Sequence, residues 1–257
     1  METVWHWAEG TWRPGSGMLD SGDSLWRRGL ALVETVRTGP EGAPLWSWHR
    51  ERLAGGLARL GWPAALPEGL PEVAAPAALR LVASWSPERP AVTLRAHLRP
   101  LPAPPPWPAL AYPPLAACPP PAPLHGLKTL SHSLAAGEDP APWYDRVLAN
   151  PRGEVMETLR HNLFWTDREG RVFTPSLETG CVAGVGRRWA LARLRAWSIA
   201  VAEVATAPPD PEDIAECWLT NALSGPVPVG ALGHHPLDPG RARLGPALAG
   251  GWPPAQR

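Results

Sequence analysis

The sequence predicts an α+β chain of two α/β domains joined by a proline-rich linker, with the smaller domain at 1–117 and the larger at 118–257. Three observations predict it. The 257 residues suffice for two modest cores without disulfides. Segments of period-two alternation interleave with segments of helical period on both sides of the middle. Between them, Pro100 to Pro123 reads PLPAPPPWPALAYPPLAACPPPAP, where neither helix nor central strand is expected to persist and a stiff extended connector is.

The elements follow in order. Gly29 to Val36 and Ala91 to Leu98 read as strands. HRERLAGGLARLGW between them reads as a helix, because Leu53, Leu57 and Leu60 recur at three- and four-residue steps and Gly61 before Trp62-Pro63 ends it. Beyond the connector, WYDRVL, a turn at Asn150-Pro151-Arg152-Gly153, EVMETLRHNLFWTD, a turn at Arg168-Glu169-Gly170 and RVFTP read as hairpin strands. A helix is expected from Val185 to Arg195 behind a glycine-rich start, and a second over PEDIAECW, leading to LTNALSGPVPV. Gly240 to Arg257 reads as a loose tail.

Charge and cysteines narrow the function. The 24 basic and 24 acidic residues cancel, so no overall field draws the chain to nucleic acid or an anionic membrane. Cys118, Cys181 and Cys217 are odd in number and widely spaced, which gives neither a disulfide framework nor a zinc pattern and fits a reducing compartment. METVWHWAEGTWRPG lacks the basic start and apolar run of a signal peptide, and no later run approaches ~18 apolar residues, so a cytoplasmic location is expected. No metal site is expected, because His125, His132 and the His234-His235 pair lack a third ligand at metal-like spacing.

The basic residues carry the first chemical clue: all but one are arginine, and the exception is Lys128. Guanidinium replaces ammonium readily on a surface, but it stays protonated and cannot serve as an amine nucleophile. Composition alone leaves open a lysine surviving on a solvated face. Lys128 stands in GLKTLS just past the connector, a natural place for a small-molecule pocket. Glu157, in ETLRHNLFW, is a carboxylate of the kind that partners a pyridinium nitrogen. Gly184-Val185-Gly186 opens a helix whose first-turn amides suit a phosphate, and Arg52 is a candidate cation for the same group.

Taken together, these segments resemble the class IV aminotransferases. The residues carrying the resemblance are Glu157, Asn162-Leu163-Phe164, Val172-Phe173-Thr174 and Val182-Ala183-Gly184-Val185-Gly186-Arg187. Leu32-Val33-Glu34-Thr35-Val36-Arg37 and His49-Arg50-Glu51-Arg52-Leu53 are similar to two further family motifs, so the resemblance runs through most of the chain. Leu159 departs from it, standing where a small residue is usual. Asp23-Ser24-Leu25 and Arg28-Gly29-Leu30 depart too, in a segment that lines the substrate side in relatives.

The resemblance implies a fold-type IV architecture and pyridoxal 5′-phosphate as cofactor. Lys128 becomes the Schiff-base lysine and Glu157 the partner of the ring nitrogen. Arg52, the backbone of Val185 and Gly186, and the Thr220-Asn221-Ala222 turn become the phosphate ligands. Within the family, Leu219-Thr220-Asn221-Ala222-Leu223 followed by Pro226-Val227-Pro228-Val229 is most similar to the aminodeoxychorismate lyases. This implies formation of 4-aminobenzoate and pyruvate on the route to folate. Thr35 is then a candidate proton-transfer hydroxyl, and Arg37 and Arg95 are candidate substrate-carboxylate ligands. A branched-chain or D-amino-acid aminotransferase, or a relative that binds the cofactor without turnover, are the alternatives. The partners implied are a small-molecule substrate and a second copy of the chain in a homodimer.

Overall fold

The computed structural model describes residues 4–15, 21–89, 91–117, 124–130 and 140–253, which form two compact units. The first holds the described residues of 4–102 together with 127–130, and the second holds 103–117, 124–126 and 140–253. The division therefore falls after Pro102 and not at 117–118. The later part of the proline-rich stretch belongs to the second unit, and the segment around Lys128 returns to the first. Cys118 and His132 lie outside the described residues.

In the first unit, β1 (Val4–Ala8), β2 (Thr11–Pro14), β3 (Leu32–Thr38), β4 (Ala77–Ser84) and β5 (Thr93–Arg99) form an antiparallel sheet ordered β2-β1-β5-β4-β3. The helices are α1 (Ser24–Arg28) and α2 (Trp46–Arg59), so the helix expected from His49 starts three residues earlier. Period-two alternation gives the sheet two unlike faces. Leu32, Val36, Leu79, Leu81, Leu94 and Ala96 are buried on one, where each leucine contributes about 2 kcal/mol. Helix α2 covers this face, and a β-carbon on Gly56 would come within 2.8 Å of Leu32 Cδ1. The opposite face is polar and basic, because the registers Thr35–Arg80–His97 and Arg37–Ala78–Arg99 put these side chains next to one another.

The second unit contains two five-stranded sheets. One runs β11 (Val201–Val204), β10 (Val172–Pro175), β9 (Asn162–Asp167), β12 (Ile214–Asn221), β13 (Gly225–Pro228). The other runs β15 (His235–Pro236), β14 (Ala231–Leu232), β6 (Ala109–Ala116), β7 (Asp145–Ala149), β8 (Val155–Thr158). One core cluster draws on both, with Leu110, Val147 and Val155 from the second sheet and Leu163, Trp165, Cys217 and Leu219 from the first. Helices α3 (Val185–Ala196) and α4 (Leu244–Gly250) complete the unit.

Three sequence expectations are corrected here. Strand β6 lies inside the proline-rich stretch and at the centre of its sheet. Its pairing with β7 holds at Leu110–Ala111 and again at Leu115–Ala116, and Pro113 and Pro114 sit in the irregularity between, where no N–H is required. The expected helix over PEDIAECW is a single 3₁₀ turn at Pro211–Asp213, capped by Asp210, after which the chain becomes β12. Pairing with β9 on one side and β13 on the other outweighs a helix start that has no long apolar stripe behind it. The loose tail contains α4, whose first-turn amides at Leu244 and Gly245 donate to the buried carboxylate of Glu216.

Candidate active site

Lys128 is held by backbone pairing to the start of β3. The Val33 N–H donates to the Lys128 carbonyl at 2.8 Å, the Leu130 N–H donates to Ala31 at 2.9 Å, and Leu32 and Thr129 form an antiparallel bridge. Leu32 faces α2, so its bridge partner Thr129 faces α2 as well. Lys128 itself is half-buried, and its charge is felt by His49 on α2.

Beneath this strand, Glu34 collects two side chains from one face of α2. Its carboxylate accepts from Arg52 Nε at 2.8 Å and Nη2 at 2.5 Å, and it lies 2.5 Å from His49 Nδ1. Burial alone would raise the Glu34 pKa, but Arg52 and His49 outweigh it and hold the carboxyl at about 2, below its usual 4.5. His49 is pushed below 6.5, chiefly by burial, with the charges of Arg52 and Lys128 adding to the shift against the pull of Glu34. The signs agree. Glu34 stabilises the fold fully above pH 4.5 and loses this as pH falls towards 2, and His49 takes up a proton below 6.5 more readily unfolded than folded.

Glu34→Gln, which removes the buried negative charge shared by Arg52 and His49, is expected to lower stability by about 3 kcal/mol at neutral pH. It should also flatten the acid dependence of urea unfolding. An unchanged midpoint would show that the cluster contributes nothing.

The arginines expected to receive substrate carboxylates divide. Arg95 is buried and internal: its Nη1 donates to Ser84 Oγ at 3.0 Å and lies 3.6 Å from Asp23, which itself accepts from Ser84 at 2.7 Å. Its charge is answered by Asp23, on the segment that departs from the family pattern, so Arg95 is withdrawn from the substrate role. Arg37 is half-buried on the polar face. Arg80, which sequence reasoning missed, is directly opposite Thr35 and has no carboxylate partner among the described residues. Partial burial and the like charge of Arg99 both lower its pKa, the condition of a guanidinium suited to an incoming anion. Its signal in the sequence was parity, because Arg80 is in register with Thr35 once β3 and β4 are paired.

In the second unit Glu157, on β8, is buried, and its carboxylate accepts from a backbone amide and a side-chain amide. The Val182 N–H is 3.2 Å from each oxygen, and Asn162 Nδ2 donates to Oε2 at 3.1 Å and to the Val182 carbonyl at 2.9 Å. Leu159 packs against the small cluster of Met156, Leu148 and Cys181. Two residues after Val182, Gly184 caps α3 with backbone alone. A β-carbon on Gly184 would fall 1.9 Å from Asn162 Oδ1, so glycine here is what lets Asn162 reach Glu157.

The amides of Val185 and Gly186, in the first turn of α3, have no carbonyl of their own helix to bond. A β-carbon on Gly186 would meet the Asn221 backbone at 2.6 Å, so the helix start and the Asn221-Ala222 turn are in close contact. Asn221 Oδ1 accepts from Leu223 N–H at 2.9 Å and Ser224 N–H at 2.8 Å, which fixes that turn. Next to it, the fully buried Thr220 hydroxyl is without a hydrogen-bond partner among the described residues. Cys181 and Cys217 are buried free thiols, pushed up to about 12 and well above the usual range respectively, each chiefly by burial. Among the described residues no group of His, Cys, Asp and Glu is placed to hold a metal, and no helix is long and apolar enough to cross a membrane.

Known proteins match along most of this framework. A family model described as amino-transferase class IV matches residues 31–232. An aminodeoxychorismate lyase of Vibrio harveyi is 39% identical over 102 residues, a stretch covering 38% of this chain and only 36% of that protein. Of solved structures, the branched-chain aminotransferase of Thermoproteus uzoniensis superposes with a TM-score of 0.79 at 17% identity, covering 96% of this chain and 93% of that one. The 4-amino-4-deoxychorismate lyase of Pseudomonas aeruginosa gives a TM-score of 0.73 at 23% identity, covering 96% of each chain. At such identities the superpositions establish the fold, and the family model, spanning well over half of the chain, establishes the lineage: the chain belongs to the class IV aminotransferases, a family of pyridoxal-phosphate enzymes.

Proposed function

We propose that this chain is a pyridoxal-phosphate-dependent lyase that converts 4-amino-4-deoxychorismate to 4-aminobenzoate and pyruvate, working in the cytoplasm as a homodimer on the route to folate. The observation that carries the choice of lyase is the 39% identity to an aminodeoxychorismate lyase. The residues also fit the cofactor. A buried carboxylate that accepts from Asn162 and Val182 suits a ring nitrogen, and the first-turn amides of Val185 and Gly186, against the Asn221 turn, suit a phosphate.

Bound pyridoxal phosphate supplies an aldehyde that bonds amines and a ring that takes up the electron pair left when a proton departs. Lys128 would provide the amine that holds the aldehyde, and its Nζ would serve as the base that takes the substrate C4 proton. Glu157 holds the ring nitrogen. The amides of Val185 and Gly186, the Asn221-Ala222 turn and Arg52, oriented by Glu34, hold the phosphate. Thr35 offers its hydroxyl proton to the departing enolpyruvyl oxygen. Arg37 and Arg80 receive the two substrate carboxylates.

The test is to incubate the purified protein with pyridoxal phosphate and aminodeoxychorismate and to assay 4-aminobenzoate and pyruvate. Equimolar release of both is expected. Conversion of the bound cofactor to its amine form by branched-chain or D-amino acids, without 4-aminobenzoate, would replace the lyase reading with transamination.

A further inference from the structure

The turn joining Glu157 to Asn162 is closed by a residue from another strand. Asp145, fully buried on β7, accepts from the Leu159 N–H at 3.0 Å and the Arg146 N–H at 2.8 Å through Oδ1. Through Oδ2 it meets Thr158 Oγ1 at 2.9 Å and His161 Nδ1 at 2.6 Å. Thr158 Oγ1 also accepts the His161 N–H at 3.1 Å. Every residue of the turn except Arg160 is thus bonded to Asp145 or to a group that Asp145 holds, and Arg160 Nε itself stands 3.8 Å away.

The tautomer follows from burial. His161 Nε2 is buried with no hydrogen-bond partner among the described residues. A proton there would be an unpaired buried donor, so the ring carries its proton on Nδ1 and donates it to Asp145. Burial would raise Asp145, and the His161 bond, foremost, with the Arg146 amide and the Arg160 charge, brings it below its usual value. Tyr144, whose ring centroid lies 5.6 Å from that of His161, closes the remaining side, with the Arg160 guanidinium over its own face.

We infer that Asp145 and His161 are positioning residues for Glu157: they fix the 158–161 turn so that Asn162 reaches across to Oε2 and the carboxylate is set for a ring nitrogen. The inference rests on the cofactor role proposed above for Glu157. Its essential element is the Nδ1 donor, because Thr158 and the Asp145 acceptor are otherwise in place without it.

The test pairs two polar substitutions. His161→Asn puts an amide N–H near the position of Nδ1, and His161→Gln puts it near Nε2. Each protein is titrated with pyridoxal phosphate, and the pH midpoint of the bound cofactor's absorbance is followed with the dissociation constant and the unfolding midpoint of the cofactor-free chain. His161→Gln is expected to move the pH midpoint by about one unit and to weaken binding about tenfold. His161→Asn should stay within about twofold of the parent. If the Gln variant does not fold, Asp145→Asn, which presents an amide to Nδ1–H, is expected to give the same shift. Identical midpoints in parent and Gln variant, or equal shifts in the Asn and Gln variants, would overturn the inference. A parent that takes up no cofactor would instead remove the reading of Glu157 on which it stands.

Discussion

Lys128→Arg is expected to abolish the borohydride-fixed attachment of pyridoxal phosphate and to reduce turnover by roughly 10³-fold or more, within the range for loss of a positioned base and more if covalent attachment also matters. Every other basic side chain is arginine, so no second ε-amine exists to take over. The backbone argument makes the variant clean. Lys128 joins the first unit through its carbonyl and through the Leu32–Thr129 bridge, and neither depends on its side chain. Arginine keeps the charge felt by His49 while removing the nucleophile. The unfolding midpoint should therefore be unchanged as the near-visible absorbance disappears. A variant that keeps the reduced, protein-bound cofactor would place the attachment elsewhere and remove Lys128 from the chemistry.

What was legible in the sequence divides along a physical line. Lys128 stood out as a candidate because it is the one lysine among arginines, and Glu157 because of the family motif around it; the structure adds that Glu157 is buried. Local punctuation was readable too, and Gly184 before α3 and Gly61 after α2 fall where the backbone requires them. What failed depended on partners far away in the chain. Arg95 and Arg80 both lie on strands and share a face, and nothing local says that Asp23 neutralises the first while the second has no carboxylate among the described residues. Nothing local in the Glu34 and Arg52 motifs says that α2 brings His49 and Arg52 against Glu34. The prolines of β6 and the strand at Ile214–Asn221 defeated propensity because a paired neighbour, absent from any local window, decides where an N–H is needed.

Glu157→Gln tests the other half of the cofactor chemistry and is expected to separate binding from turnover. The carboxamide keeps the shape of the side chain and an oxygen for the Val182 N–H, so the fold should survive. Its nitrogen, however, would face Asn162 Nδ2, donor against donor, where Oε2 now accepts. That conflict is expected to cost about 1–3 kcal/mol of stability. The larger effect is electrostatic. A carboxylate holds a proton on a ring nitrogen and a neutral amide does not, so kcat should fall about 10²–10³-fold, as when a fixed group aimed at developing charge is lost. Cofactor affinity should fall far less, because the phosphate ligands proposed at Val185, Gly186 and Asn221 are untouched. Rapid-mixing kinetics with a matched binding titration distinguishes the cases. A kcat within twofold of the parent would mean that Glu157 only supports the Asn162 and Val182 contacts. Proportional loss of affinity and turnover would mean that the turn had collapsed and the carboxylate had no role of its own.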